Sequence, residues 1–234
     1  ALLASGPRPL LQESEWTLLR STYESIVGPD RSTLQTVYEN DDTHSVKKTN
    51  GFHVPVQARQ GTDKGRAVFA AGNSNTLIRK GSLIWSTQQT ARFDDGEDYR
   101  KFLLQIPREF ACDVIQWAYV QAIAFVPEDE DEEEEIHEAS ATAFSSSDEE
   151  EDSDEDVQQE QLWISVDLDE GSFMNSFSPE WETPNVGCDE HAAQLYPGGC
   201  PQNYFALRDI RPGEELLLDY GDFAIQDGWE WFGL

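Results

Sequence analysis

The chain has 234 residues, enough for one domain with a sizeable core or two small ones. Only 38% of them are hydrophobic, yet 7 Trp, 7 Tyr and 12 Phe are too many aromatics for a chain that lacks a core altogether. A formal charge of −30 repels nucleic-acid phosphates, and no apolar run approaches the roughly 18 residues of a spanning helix, so neither direct nucleic-acid binding nor membrane insertion is expected.

The chain opens at Ala1 without a Met, which reads as a fragment or a processed product. Within residues 1–50 the pattern supports one helix, Glu15–Ile26, with Ser14 as a candidate cap; the rest reads as turns and irregular chain. Ala67–Ala70 and Leu83–Trp85 read as short strands separated by the loop Gly72-Asn73-Ser74-Asn75. Tyr99, Phe102, Leu103 and Ile106 then recur at helical spacing. Pro107 breaks that pattern, and Phe110, Val114, Trp117 and Ala118 resume it, which predicts two helices meeting at the proline.

Residues 128–160 hold 18 Asp or Glu and no Lys or Arg, leaving 28 acidic against 16 basic residues in the rest of the chain. Like charges at this density repel, and no repeating apolar face interrupts them, so a disordered acidic insertion is expected over 127–161. It follows Ala122-Ile123-Ala124-Phe125-Val126 and precedes a run in which Leu162, Ile164, Val166 and Leu168 alternate as in a half-buried strand. The insertion therefore interrupts a folded domain. Such a run either stays solvated and keeps a protein soluble, or draws in a basic partner. Beyond Gly171 the chain is loop-rich until a strand at Tyr204–Leu207, and Pro212-Gly213 marks a turn ahead of a strand at Glu215–Leu218.

The three cysteines, Cys112, Cys188 and Cys200, form no dense framework. Their odd number suits a reducing compartment, so an intracellular setting, nucleus or cytoplasm, is expected and a disulfide scaffold is not. Cys188, His191 and Cys200 are one ligand short of a tetrahedral zinc site, so no metal is expected.

Three stretches stand out. The first is Lys64-Gly65-Arg66 leading into the strand at Ala67, where a glycine either serves a hairpin turn or lets a ligand approach the backbone. The second runs Gly171-Ser172-Phe173-Met174-Asn175-Ser176 towards Pro184-Asn185-Val186; alone it reads as a polar loop. The third is Ala206-Leu207-Arg208-Asp209-Ile210-Arg211-Pro212-Gly213-Glu214-Glu215-Leu216, ending in Asp219-Tyr220-Gly221. In order and spacing these stretches resemble the SET-domain family of protein lysine methyltransferases, across roughly Gly51 to Gly221. The pair that is Asn-His in the family reads Asn175-Ser176 here, and the zinc-binding cysteine clusters that flank many relatives are absent.

The resemblance implies an α+β fold of SET-type small β-sheets with a pseudoknot, interrupted by the acidic insertion. It implies an N-terminal flanking segment (1–50), a SET-like domain (51–221) and an aromatic C-terminal tail (222–234). S-adenosylmethionine is the implied cofactor, contacted by Lys64, Gly65, Arg66, Asn175, Ser176 and Tyr220, and a basic, histone-like protein lysine is the implied substrate. Methyl transfer needs a neutral amine although a free lysine has a pKa of about 10.4, which a desolvating channel favours. Tyr220 is the implied catalytic residue; a tyrosine that merely closes the last strand is the alternative. Asn185 is implied in the knotted crossing, with Phe173 beneath it. The tail Gly228-Trp229-Glu230-Trp231-Phe232 either lays an aromatic over adenine or the lysine channel, or fills a groove on the body. Two other functions compete: a catalytically silent SET-fold binding module, which Ser176 favours, and an acidic interaction protein of the histone-chaperone kind, which rests on the insertion alone.

Overall fold

The computed structural model describes residues 8–124 and 160–234, apart from positions 36, 42–43, 49, 62–63 and 74. The acidic insertion expected over 127–161 lies outside the described residues but for its last two positions.

The first element is α1 (Glu13–Val27). It begins ahead of Ser14, the expected cap, because the Glu15 carboxylate reaches back to accept from the Gln12 backbone N–H at 2.6 Å and satisfies an otherwise orphaned donor. Its inner face carries Trp16, Leu19, Tyr23 and Val27 into the core. Next come β1 (Val37–Asp41) and β2 (His44–Lys48), an antiparallel pair in register from Val37↔Lys48 to Asp41↔His44. The sequence read this stretch as irregular, because Glu39, Asn40, Asp41, Ser45, Lys47 and Lys48 leave no apolar face for a period-two pattern.

A second hairpin pairs β3 (Val56–Gln60) with β4 (Arg66–Ala70). After β5 (Leu83–Ser86) and β6 (Thr90–Phe93), the helices α2 (Gly96–Gln105) and α3 (Arg108–Trp117) meet at Pro107, as the spacing predicts. The Asp95 side chain caps α2 by accepting from Glu97 N at 2.9 Å.

Two long strands, β7 (Tyr119–Ala124) and β8 (Glu160–Asp167), pair antiparallel, and β6 joins β8 on its other side. The rung Ala124↔Glu160 holds together the two ends of the undescribed segment, so residues 125–159 leave and rejoin one hairpin. The fold thus carries them as an insertion. Being central, β8 is covered on both faces: Ile164 and Val166 are buried, and so are Ser165 and Asp167 opposite them. The half-buried pattern expected for this strand underestimates it, since alternation reports polarity and not coverage.

The remainder is built from short pieces: β9 (Asn175–Ser176), β10 (Val186–Gly187), α4 (Glu190–Ala193), α5 (Gly199–Gln202), β11 (Asn203–Ala206) and β12 (Leu217–Leu218). Sheet β10-β11-β5 is antiparallel, whereas β12 runs parallel to β9. The strand expected at Glu215–Leu218 changes partner midway. Glu215 bridges to Phe69 and Leu216 N donates to Val68 O at 2.8 Å, whereas Leu217 and Leu218 pair with Asn175 and Ser176. Asn185 clamps the same segment from the far side, its Nδ2 donating to Glu215 O and its Oδ1 accepting from Leu217 N, both at 2.8 Å. This is the crossing the resemblance implies. Phe173 does not simply underlie it; its ring packs on Trp16 and Trp117, with centroids 5.5 and 5.8 Å away.

The cysteine reading needs correcting, because Cys188 and Cys200 form a disulfide with Cα atoms 5.7 Å apart. The intervening residues fold back through α4 and α5, a proximity that spacing alone did not reveal. Cys112 is the free thiol. Among the described residues no group of three His, Cys, Asp or Glu could hold a metal ion, and no helix is long and apolar enough to cross a membrane.

Candidate active site

Three cavities lie in a row. The first is a cleft of about 640 Å³ walled by Lys64, Gly65, Arg66, Asn175, Ser176 and Tyr220, together with Arg8, Gln116, Trp117, Ser172 and Phe173. All six residues singled out in the sequence therefore share one concavity. A chamber of about 330 Å³ shares Tyr220, Trp117, Gln116 and Ser172 with the cleft and adds Tyr119, Met174, Leu218, Phe223 and Trp229. A third pocket, about 380 Å³, shares Leu218, Phe223, Ala224 and Ile225 with the chamber.

The crossing assembles the cleft. Gly65 adopts φ +81°, a left-handed conformation that favours glycine, and a Cβ there would meet nothing within 4 Å, so the backbone faces open space. The Lys64 ammonium donates to Ser176 O at 3.0 Å and pairs with Glu182, whose carboxyl this hydrogen bond holds below the usual range. Asn175 Nδ2 donates to Arg66 O at 3.1 Å and to Glu215 Oε1 at 2.9 Å, so its amide braces the two walls against each other.

Arg66 and Arg8 both pair with Asp113, so two cations share one carboxylate and the wall keeps a net positive charge. Burial first, then repulsion by Arg8, lowers Arg66 to about 10. Its guanidinium also lies over Phe173 and Trp117, 4.6 and 5.1 Å from the ring centroids.

Tyr220 stands at the junction of cleft and chamber. Its hydroxyl donates to Met174 O at 2.7 Å, and burial pushes its pKa up to about 12, so it stays protonated at neutral pH. With the proton committed to Met174, its lone pairs are left to accept. Phe223 packs against Tyr220, Tyr119 and Tyr204, with centroids 5.6, 5.0 and 5.9 Å away.

Asp167 also lines the chamber, largely buried, accepting from Thr90 Oγ1 at 2.6 Å and Tyr119 OH at 3.4 Å; burial raises it to about 6. Neighbouring Asp169 is raised to about 7 by burial and then by Asp167, although it accepts from Gly51 N and Gly171 N.

A family model described as the SET domain matches residues 65–221, about two thirds of the chain. The chain belongs to the SET-domain family. Among solved structures, one described as "Structural basis for the product specificity of histone lysine methyltransferases" aligns at 16% identity with a TM-score of 0.34, over 91% of this chain and 65% of that one. This chain thus spans less than two thirds of that structure's length. No curated protein matches it.

Within this SET domain, residues the sequence reading passed over complete the walls. Arg8 and Asp113 had no local signal, since a single Arg near a terminus and a single Asp on a helix look like surface charges. Trp117 was legible only as a helix-spaced apolar residue, Asp167 only as a polar position within the alternating strand, and Tyr119 not at all. The tail reaches the site too: Trp229 lines the chamber and lies 6.0 Å from the Tyr99 ring.

Proposed function

We propose that this SET domain is an S-adenosylmethionine-dependent protein-lysine methyltransferase acting on a basic substrate. One observation carries the reading: the polar cleft and the mostly apolar chamber share Tyr220 as a wall residue. The cleft suits the cofactor's amino-acid end, because Arg8 and Arg66 leave an uncompensated positive charge for a carboxylate and Gly65 leaves backbone accessible. Lys64, Arg66, Asn175 and Ser176 would hold that end. When bound, the cofactor supplies a methyl group on a sulfonium.

The protein's own contribution is placement and desolvation. Tyr119, Met174, Leu218 and Phe223 wall most of the chamber with apolar surface, which disfavours an ammonium and so favours the neutral, nucleophilic amine, while Asp167 in the same wall pulls the other way when ionised. Tyr220, anchored through Met174 O, presents its oxygen lone pairs to the amine, which fixes the line of attack. The domain limits follow as part of the same proposal, with residues 1–50 and 222–234 flanking a catalytic unit of 51–221.

A second reading is favoured by the internal commitments of Lys64, two of whose three donors go to Ser176 and Glu182, and of Asn175, both of whose amide donors go to Arg66 and Glu215. Together with Ser176 in place of histidine, this suits a binding module that takes no cofactor. Calorimetric titration with S-adenosylmethionine separates the two: saturable binding is expected for the enzyme and none for the module. Tyr220→Phe is then expected to lower turnover about 100-fold while leaving cofactor affinity within twofold. Unchanged turnover would remove Tyr220 from the reaction.

A further inference from the structure

The pocket beyond Phe223 is mostly apolar and carries a few polar groups that the proposed reaction does not use. Its walls include Gly187, the Cys188–Cys200 disulfide, Tyr204, Asp219 and the segment Gly221–Ile225, with Gln121 of β7 closing one side. Gln121 is only 1% exposed; its Nε2 donates to Ser165 Oγ at 2.8 Å, but its Oε1 is buried with no hydrogen-bond partner. A buried carbonyl left unpaired costs on the order of 1–3 kcal/mol, so a donor entering the pocket would be rewarded.

Two carboxylates stand beside it. Asp219 accepts only from Gly221 N, and no Lys or Arg among the described residues pairs with Asp219 or Asp222. Partial burial and then the Asp219 charge raise the Asp222 pKa, as expected where two like charges lack a counterion. A divalent ion fits poorly, because no third ligand of the kind it requires is at hand. The aromatic rings of Tyr204 and Phe223 form the remaining wall.

We propose that this pocket is a subsite for an arginine side chain of the polypeptide substrate, placed beside the chamber that receives the target lysine. It rests on the reading that a polypeptide is the methyl acceptor. A guanidinium presents several donors in one plane, enough to meet the Gln121 carbonyl and the two carboxylates together, and its face stacks on an aromatic ring. An ammonium offers no such plane. The pocket shares Leu218, Phe223, Ala224 and Ile225 with the chamber, so an arginine held there would be a near neighbour of the target lysine in the same segment.

The test reads binding, not turnover. Nα-acetyl-arginine-amide is titrated into isotope-labelled full chain while the Gln121 side-chain amide and the Asp222 backbone amide are followed by NMR. Saturable shifts of both signals are expected, with affinity about tenfold lower in Gln121→Met and in Asp222→Asn, and no saturation with Nα-acetyl-citrulline-amide. Asp222 is exposed, so its variant guards against a Gln121 variant that fails to fold. Absence of saturable shifts, or equal response to the citrulline compound, overturns the subsite. Arginine-amide binding in a chain that takes no S-adenosylmethionine would overturn the enzyme reading and leave the subsite standing.

Discussion

The sheet β6-β8-β7 and the crossing of residues 175–187 with 215–218 solve the same problem in opposite ways. In the sheet, continuous backbone ladders run from Tyr119↔Ser165 to Ala124↔Glu160 and from Thr90↔Asp167 to Phe93↔Ile164, so the hydrogen bonds are nearly indifferent to side-chain identity. The crossing has just the two-residue ladder Leu217↔Asn175 and Leu218↔Ser176, with single backbone bonds from Phe177 N to Leu218 O and from Asn185 N to Leu217 O beside it. Side-chain amides complete it, Asn185 on Glu215 and Leu217, Asn175 on Arg66 and Glu215. A buried polar side chain therefore supports the fold in the crossing, whereas Asp167 in the sheet is a largely buried carboxylate whose charged form burial disfavours. The candidate site sits on the first kind of ground.

Asn185→Ala is the severest challenge to this contrast. It strands Glu215 O and Leu217 N in a dry site and should cost about 3 kcal/mol in urea unfolding. A loss below about 1 kcal/mol would mean that the two-residue pairing stands by itself. In the sheet the sign reverses. Asp167 has a folded pKa of about 6 against about 3.9 for a free aspartate, so the folded state binds more protons between those values and stability falls as pH rises through them. Asp167→Asn keeps an oxygen for Thr90 and Tyr119, so it should flatten that slope and be more stable than the parent by about 2 kcal/mol at pH 8, measured as melting temperature against pH. A variant less stable at every pH would show that the carboxylate supports the sheet after all.

Asn175→Ala should cost about 1–2 kcal/mol and weaken S-adenosylmethionine binding in parallel, since its amide braces the cleft. Weaker binding with unchanged stability would move Asn175 from brace to direct contact. The smallest effect is expected where the sheet is entered: a short Gly-Ser bridge in place of residues 125–159 should leave saturated kcat and melting temperature unchanged. For a Lys- and Arg-rich peptide it should lower kcat/KM several-fold at low salt, a difference that vanishes near molar salt. A fall in kcat at all salt concentrations would make the segment part of the catalytic fold.

What the sequence disclosed follows the same division. The two helices at Pro107 and the strand through Ile164 announce themselves by period, because each buries a continuous face. The crossing has no period; Asn175 and Asn185 came to notice through the family resemblance, which did not reveal that Asn175 spends its amide inside the protein. The Cys188–Cys200 bond, the β1–β2 hairpin and the shared grip of Arg8 and Arg66 on Asp113 depend on which distant segments meet. A single chain does not encode such meetings in any local pattern.

Tyr220 belongs to the wall of two cavities at once, so its ring cannot turn for one occupant without being felt by the other. Whatever factor a ligand in the cleft imposes on affinity in the chamber, a ligand in the chamber must impose on the cleft, because the free energy around the cycle closes. A residue at such a boundary makes order of binding a matter of kinetics and leaves the coupling symmetric. Measuring the cofactor's dissociation constant with and without a lysine peptide, and the peptide's with and without cofactor, should return one ratio.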